Sequence, residues 1–125
     1  MMTKESKTRA KRVRFFRALA DDMRVRILER LRGGEQNVCA LSESLQTGQS
    51  KLSFHLRVLK DAGLVVYRPE GRSIYYTLNH HAIQEAETLL GHLRESGVSI
   101  SQTHSRAGSS YRNAQRNHEA VDVLE

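Results

Sequence analysis

Apolar residues recur at helical spacing through the first half of the chain, and this pattern predicts four consecutive α-helices. Leu41 and Leu45 of the third predicted helix are four residues apart and therefore face inward together. The fourth presents Leu52, Leu56 and Leu59 on one face, and a tight turn separates it from the third, as in a helix–turn–helix. The first predicted helix covers residues 13–20. The second follows an N-cap at Asp21 or Asp22 and ends at Gly33-Gly34. The third covers residues 38–45 and the fourth residues 50–61.

Beyond the fourth helix, β-branched and aromatic residues predict a β-hairpin. Its strands are predicted at 64–68 and 73–78, joined by a Gly-containing turn at 69–72. Asn79 then offers an N-cap for a last helix that reaches about residue 95 or 96. A helix–turn–helix followed directly by a Gly-tipped hairpin is typical of a winged helix, so the predicted fold is mostly α with one β-hairpin.

The domain organisation follows from where these elements begin and end. Residues 1–12 are polar and basic and are predicted to be a flexible arm, and residues 13–96 form the winged-helix domain. Residues 97–125 are rich in Ser, Asn, Gln and Arg and hold few large apolar side chains, which predicts a disordered polar tail.

The composition indicates in which cellular compartment this domain works and which kinds of partner it binds. The chain has 125 residues, with 20 Lys and Arg against 14 Asp and Glu, so its net charge is +6. A basic surface favours polyanions such as nucleic acid or an acidic membrane face, although such charge also serves solubility alone. The chain has no membrane-spanning apolar run, no secretory signal and a single cysteine. We therefore expect a cytoplasmic protein that does not enter membranes.

The fourth predicted helix carries the side chains expected to contact DNA, because the second helix of a helix–turn–helix enters the major groove. Amides and hydroxyls bond base edges or phosphates, Lys and Arg neutralise phosphates, and Phe54 suits a thymine methyl group. His55 faces either way, so it is either a packing or hydrogen-bonding residue, the more common role, or a further base contact. With the leucines facing inward, the outward candidates are Gln49, Ser50, Lys51, Ser53, Phe54 and Arg57. The alternative for the whole set is a solvated helix face.

The predicted hairpin tip adds two cations, Arg68 and Arg72, on either side of Gly71. Arginines at such a tip reach the adjacent minor groove or the phosphates, and the alternative is two exposed charges on a turn. A pure protein-interaction module would not need these cations. An enzyme is not expected, because the sequence shows no Gly-rich phosphate loop and no nucleophile with a base and an orienting group.

Several segments together resemble the ArsR/SmtB family of winged-helix repressors. They are 19–28 (Leu-Ala-Asp-Asp-Met-Arg-Val-Arg-Ile-Leu), Glu35-x-x-Val38-Cys39-x-Leu41, Ser50-x-x-Ser53-x-His55-Leu56-x-x-Leu59, Ala62-Gly63-Leu64-Val65 and Gly71-Arg72-x-x-Tyr75-Tyr76-x-Leu78. The resemblance covers about residues 13–96. It implies a homodimer held by the first and last helices, bound to an imperfect palindrome in double-stranded operator DNA. It also implies release from DNA when an inducer binds, usually a metal ion or a thiol-reactive species.

The family's thiol-based inducer sites are poorly matched. At the arsenic-type Cys-x-Cys site the matching positions are Asn37 and Cys39, so one of the thiolates that arsenic prefers is missing. A second site type needs Cys or His from the N-terminal arm, and this arm has neither. Cys39 is expected to be a small buried hydrophobe among apolar neighbours, and the alternative is an oxidisable thiol that triggers release.

The last predicted helix is similar to the zinc-sensing site of the SmtB branch, Asp-x-His-(ten residues)-His-x-x-Glu. The matching residues are Asn79, His81, His92 and Glu95, with a weaker amide ligand in place of the family's Asp. Because eleven residues make about three helical turns, His81 and His92 share a helix face, beside an apolar stripe suited to a dimer seam. The resemblance therefore implies a zinc-type inducer bound between two chains. Glu85 is an alternative ligand in place of Asn79. The alternative for the whole site is that it binds no metal and that its histidines only lie on the dimer helix.

Overall fold

The computed structural model describes residues 3–95, and within this range the chain forms five α-helices and a small antiparallel sheet of three strands. In chain order they are α1 (Lys4–Leu19), α2 (Asp22–Leu31), β1 (Gln36–Asn37), α3 (Val38–Leu45), α4 (Gln49–Asp61), β2 (Val65–Glu70), β3 (Ser73–Leu78) and α5 (His80–Arg94). This confirms the predicted winged helix, in which α3 and α4 precede the β2–β3 hairpin. The predicted tail at 97–125 lies outside the described residues.

The chain divides into two compact units, Met1–Glu87 and Thr88–Glu125. The described part of the first unit contains the winged helix and the beginning of α5. The described part of the second holds the end of α5. No helix of residues 3–95 is both long and apolar enough to cross a membrane.

The first helix begins earlier than predicted. Thr3 is its N-cap, and the Thr3 hydroxyl oxygen accepts a hydrogen bond from the Ser6 backbone N–H at 3.1 Å. Residues 4–12, predicted to be a flexible arm, are therefore the first turns of α1. This stretch has no apolar period that would predict a helix, but Lys, Arg, Ala and Glu all have high helix propensity.

Side-chain caps also fix where three other helices begin. Asp21 accepts from the Arg24 N–H at 3.1 Å and begins α2, and Asn37 accepts from the Ala40 N–H at 2.7 Å and begins α3. The Arg24 N–H bond is the main reason that the pKa of Asp21 is lowered. Asn79 is the cap of α5, as predicted. Each cap satisfies a backbone N–H that has no partner inside its helix.

The core lies where α1–α4 meet the base of the hairpin. Five leucines predicted to face inward, two on α3 and three on α4, are each at most 2% exposed. The full set of buried apolar residues is Phe15, Ala18, Ile27, Leu31, Leu41, Leu45, Leu52, Leu56, Leu59, Ala62, Leu64 and Val65. Their burial fixes which face of α4 is left to solvent.

The sheet has the strand order β1-β3-β2, with β2 at an edge. The hairpin closes at the Glu70–Ser73 pair through a two-residue turn, and Gly71 at its first position has φ 59°, as a type II′ turn requires. Residues 69–70, predicted to belong to the turn, are paired in β2, where the edge position tolerates a proline. The sequence did not predict β1, because two residues are too few to show an alternating pattern.

Candidate nucleic-acid interface

The outward face of α4 is the first part of the candidate interface. Leu52, Leu56 and Leu59 are fully buried, whereas the Phe54 ring is 58% exposed with no core role. The exposed residues on this face are Gln49, Ser50, Lys51, Ser53, Phe54 and Arg57, which is the predicted contact set without His55. Two cations, one aromatic ring and several short polar groups therefore share one exposed helix surface.

His55 lies on the buried side of the same helix. It is 7% exposed, and its Nδ1 atom is 3.2 Å from Arg24 Nη1 and 3.8 Å from Asp21 Oδ2. An imidazole in this position packs and hydrogen-bonds within the protein and does not reach the exposed face. This placement corrects its inclusion among the base-contacting residues and agrees with the other role predicted for it.

The hairpin tip carries one arginine that is paired and one that is not. Arg68 forms two hydrogen bonds to Glu35, at 2.6 and 3.2 Å, and one to Glu70 at 2.7 Å, and it lies 5.0 Å above the Tyr75 ring. These carboxylates raise the pKa of Arg68, and its hydrogen bonds lower the pKa of Glu35. Arg72 is exposed at the turn, and no carboxylate of residues 3–95 forms an ion pair with it. Arg72 is therefore the better placed of the two to meet a phosphate.

Asn79 has a role that competes with the predicted metal ligation. Its Oδ1 accepts from the Ala82 N–H at 3.4 Å and its Nδ2 donates to the Gly63 carbonyl at 2.9 Å. Its backbone N–H donates to the Leu64 carbonyl at 2.9 Å. Both polar atoms of the side chain have a hydrogen-bond partner, and metal ligation by Asn79 stays a prediction. It joins the start of α5 to the turn after α4.

The other predicted metal ligands are exposed. His81 Nε2 is 2.8 Å from Glu85 Oε1, one helical turn further along α5. His92, near the end of α5, and Glu95, just after it, are exposed as well. Among residues 3–95, no group of three His, Cys, Asp or Glu side chains comes close enough to hold a metal ion.

Cys39 lies in the first turn of α3 and is exposed, so the prediction of a small buried hydrophobe is wrong. The neighbouring Val38 packs against the core instead. Gln49 Nε2, at the start of α4, donates a hydrogen bond to Cys39 Sγ at 3.6 Å. The thiol therefore contacts one of the predicted DNA-contacting side chains.

Two features of the interface were not predicted. Arg24 and Glu35 are the partners that hold His55 and Arg68, and they lie 31 and 33 residues away from them in the chain. In addition, the span Lys4–Leu19 contains seven Lys and Arg and one Glu, so α1 alone has a formal charge of +6. The basic composition of residues 4–17 was the signal available for the second feature.

These observations define a winged helix-turn-helix domain, with α3 and α4 as the helix pair and the β2–β3 hairpin as the wing. Residues 21–67 match the model of the family described as bacterial regulatory protein, arsR family. The chain belongs to this ArsR family.

Individual relatives match about two thirds or more of the chain. The chain is 39% identical over 83 residues to the transcriptional repressor SmtB homolog of Synechocystis sp., covering 66% of this chain and 63% of that protein. It is 38% identical over 87 residues to the transcriptional activator HlyU of Vibrio cholerae, covering 70% and 81% of the two chains. The solved structure of that protein superposes with a TM-score of 0.58 over 74% of this chain and 97% of its own.

A further solved structure is described as a homodimeric winged helix-turn-helix DNA-binding domain from Mycobacterium bovis. It is 25% identical to this chain, has a TM-score of 0.63, and the match covers 79% of this chain and 92% of its own. The relatives thus include a repressor and an activator, and all three are described as regulators or DNA-binding domains.

Proposed function

We propose that this protein is a transcriptional repressor that binds operator DNA as a homodimer and is released by a divalent metal ion of the zinc type. The observation that carries the DNA-binding part is the exposed face of α4, where Lys51, Phe54 and Arg57 lie outside a fully buried leucine face. This helix is the element that a helix–turn–helix inserts into the major groove. The exposed Arg72 of the wing adds a cation for the adjacent backbone.

Exposed apolar side chains support a dimer through the first and last helices. Val13 on α1 is 43% exposed, and Leu90 and Leu93 on α5 are 52% and 65% exposed. Large apolar groups on two helices favour burial against a second copy, because a small domain gains stability from such burial. The homodimer described for the Mycobacterium bovis relative supports the same arrangement.

The inducer site proposed on α5 uses His81 and Glu85 of one chain with His92 and Glu95 of the other. His81 Nε2 and Glu85 Oε1 lie 2.8 Å apart on exposed side chains of α5, so a nitrogen donor and an oxygen donor are close together there. Two imidazole nitrogens and two carboxylate oxygens together make the four ligands of a tetrahedral zinc site. Glu85 takes the place of Asn79, whose side chain caps α5. A metal held by these residues would link the two α5 helices and so would favour one relative arrangement of the two recognition helices.

Titration of the dimer onto a labelled fragment of its own upstream DNA, with and without excess zinc, tests this proposal. We expect salt-sensitive binding that zinc weakens at least about tenfold, within the 5–150-fold range of typical allosteric coupling. His81→Ala and His92→Ala are expected to bind DNA as the wild type does and to lose the zinc response. His80→Ala, which removes an exposed histidine that is not a proposed ligand, is the matched control and keeps the response.

Two results would count against the proposal in different ways. Zinc-driven release that persists in both His81→Ala and His92→Ala would reject the α5 site. Duplex binding that does not weaken with rising salt would reject the DNA-binding function itself, since phosphate contacts make such binding strongly salt-dependent.

A second candidate trigger is modification of Cys39. Its thiol is exposed, and its Sγ accepts a hydrogen bond from Gln49 at the first position of α4. In alkylation by iodoacetamide, the thiolate sulfur forms a bond to the reagent's CH₂ carbon and iodide leaves. The added group then lies beside Gln49, a proposed DNA-contacting side chain. This candidate predicts release without any metal.

Treatment with iodoacetamide is the corresponding measurement. If Cys39 is the trigger, the alkylated wild type loses operator affinity by about tenfold or more while Cys39→Ser, treated identically, is unaffected. Equal DNA binding before and after complete alkylation, confirmed by mass, would remove this candidate. The chain has a single cysteine, so the modified position is unambiguous.

A further inference from the structure

A polar cluster at the α1–α2 corner holds the inner side of the recognition helix. Arg24, in the first turn of α2, donates from Nε to the Ala18 carbonyl at 2.7 Å and from Nη2 to the Arg17 carbonyl at 3.4 Å. Its Nη1 lies 3.2 Å from His55 Nδ1 on α4. A single guanidinium therefore joins the C-terminal end of α1, the start of α2 and the middle of α4.

The chemistry of the two side chains fixes which of them donates in this hydrogen bond. Arginine has five N–H donors and no acceptor, so His55 Nδ1 must be the acceptor in this bond. The two carbonyls that Arg24 binds lie in the last turn of α1, where backbone acceptors lack partners within the helix and favour a cation.

The cluster also reaches the outward face of α4. The His55 ring contacts the ring of Phe54 edge to face, with centroids 5.3 Å apart and planes at 68°. Phe54 is the one aromatic residue of the proposed DNA-contacting set and is 58% exposed. A chain of contacts thus runs from Arg24 through the buried His55 to a side chain on the DNA-facing surface.

We infer that Arg24 and His55 are positioning residues that set the rotation of α4 and the orientation of Phe54, and so determine operator specificity. This inference rests on the proposed DNA-binding function. The leucine face of α4 is held by apolar burial, which is not directional. The Arg24–His55 bond is directional, and it lies at the level of the base-contacting residues. The cluster therefore fixes which groups of α4 meet which base pairs.

Two substitutions of His55 separate positioning from simple packing. His55→Asn keeps an acceptor near the position of Nδ1, whereas His55→Leu fills the buried site with an apolar group and removes the acceptor. The probes are a duplex selected by the wild-type protein from a randomised library and poly(dI-dC) as non-specific DNA. Urea unfolding is measured on the same preparations.

For His55→Leu we expect an unfolding midpoint close to that of the wild type and unchanged affinity and salt dependence on poly(dI-dC). Its affinity for the selected duplex is expected to fall about tenfold, the size of a single lost base discrimination. His55→Asn is expected to retain most of the wild-type preference. Equal preference in the wild type and His55→Leu, or equal loss in His55→Asn and His55→Leu, would overturn the inference.

A second variant tests the coupling to Arg24 and guards against loss of folding in His55→Leu. Arg24→Lys keeps the charge but has a single donor group, which does not reach the carbonyls of α1 and His55 together. It is expected to lower the preference for the selected duplex as His55→Leu does, and the double variant should lose little more. Losses that simply add would show that the two residues act independently and would overturn the inference. Failure of the wild type itself to bind DNA would instead reject the proposed function.

Discussion

Replacing both Lys51 and Arg57 with glutamine is expected to weaken operator binding by roughly a hundredfold at about 200 mM salt, and by about a hundredfold more at about 50 mM. Both cations lie on the exposed face of α4. In a homodimer the double substitution removes about four phosphate contacts, and each contact contributes about 0.9 to the slope of log affinity against log salt. The slope should therefore become shallower by about 3.6. The measurement is a series of binding isotherms at salt concentrations from about 50 to about 200 mM. Over this range, the loss of affinity reports the number of phosphate contacts.

The matched control is Arg30→Gln with Arg32→Gln, which removes the same charge from exposed positions at the end of α2. If local phosphate contacts are responsible, this control keeps nearly the wild-type slope. A control that loses as much slope as the α4 variant would show that net charge matters and that the α4 face does not. The unfolding midpoint of both variants should stay near the wild-type value, since exposed substitutions usually change stability by less than about 0.5 kcal/mol.

The sequence predicted best those elements that carry both an apolar period and a local end signal. The bounds of α3 and β3 agree with their predicted spans, and the inward leucines of α4 are the buried ones. The sequence predicted Asp21 or Asp22 as one cap and Asn79 as another, because an N-cap needs only a short polar side chain just before an apolar period. The structure selects Asp21 and confirms Asn79. The start of α1 and the two residues of β1 lack such a period, and neither was predicted.

The candidate site was predicted less completely, because its polar partners are distant in sequence. His55 and Arg24 lie 31 residues apart, and Arg68 and Glu35 lie 33 apart. Local sequence patterns do not relate residues so far apart. The buried position of His55 and the ion pairs of Arg68 therefore could be seen only in the structure. Asn79 illustrates a conflict between two predictions, since the oxygen assigned to a metal is the one that caps α5.

Leu52→Ala is expected to lower stability far more than any alanine substitution on the exposed face of α4. Leu52 is fully buried and lies between two exposed residues, Lys51 and Ser53. Truncating a buried leucine costs about 2–5 kcal/mol, from lost transfer free energy and from the cavity left behind. Small domains have about 5–15 kcal/mol in total, so a large part of the stability is removed.

Urea unfolding at one fixed protein concentration measures this loss, since the apparent stability of a dimer depends on concentration. Ser53→Ala, the exposed neighbour, is the control and should unfold within about 0.5 kcal/mol of the wild type. The two variants are expected to separate the two faces of α4: Leu52→Ala lowers stability, and Ser53→Ala affects only DNA affinity. A Leu52→Ala protein as stable as the wild type would mean that this face of α4 is not packed against the core. The exposed contact set would then lose its basis, because the burial of the leucines is what directs Lys51, Phe54 and Arg57 to solvent.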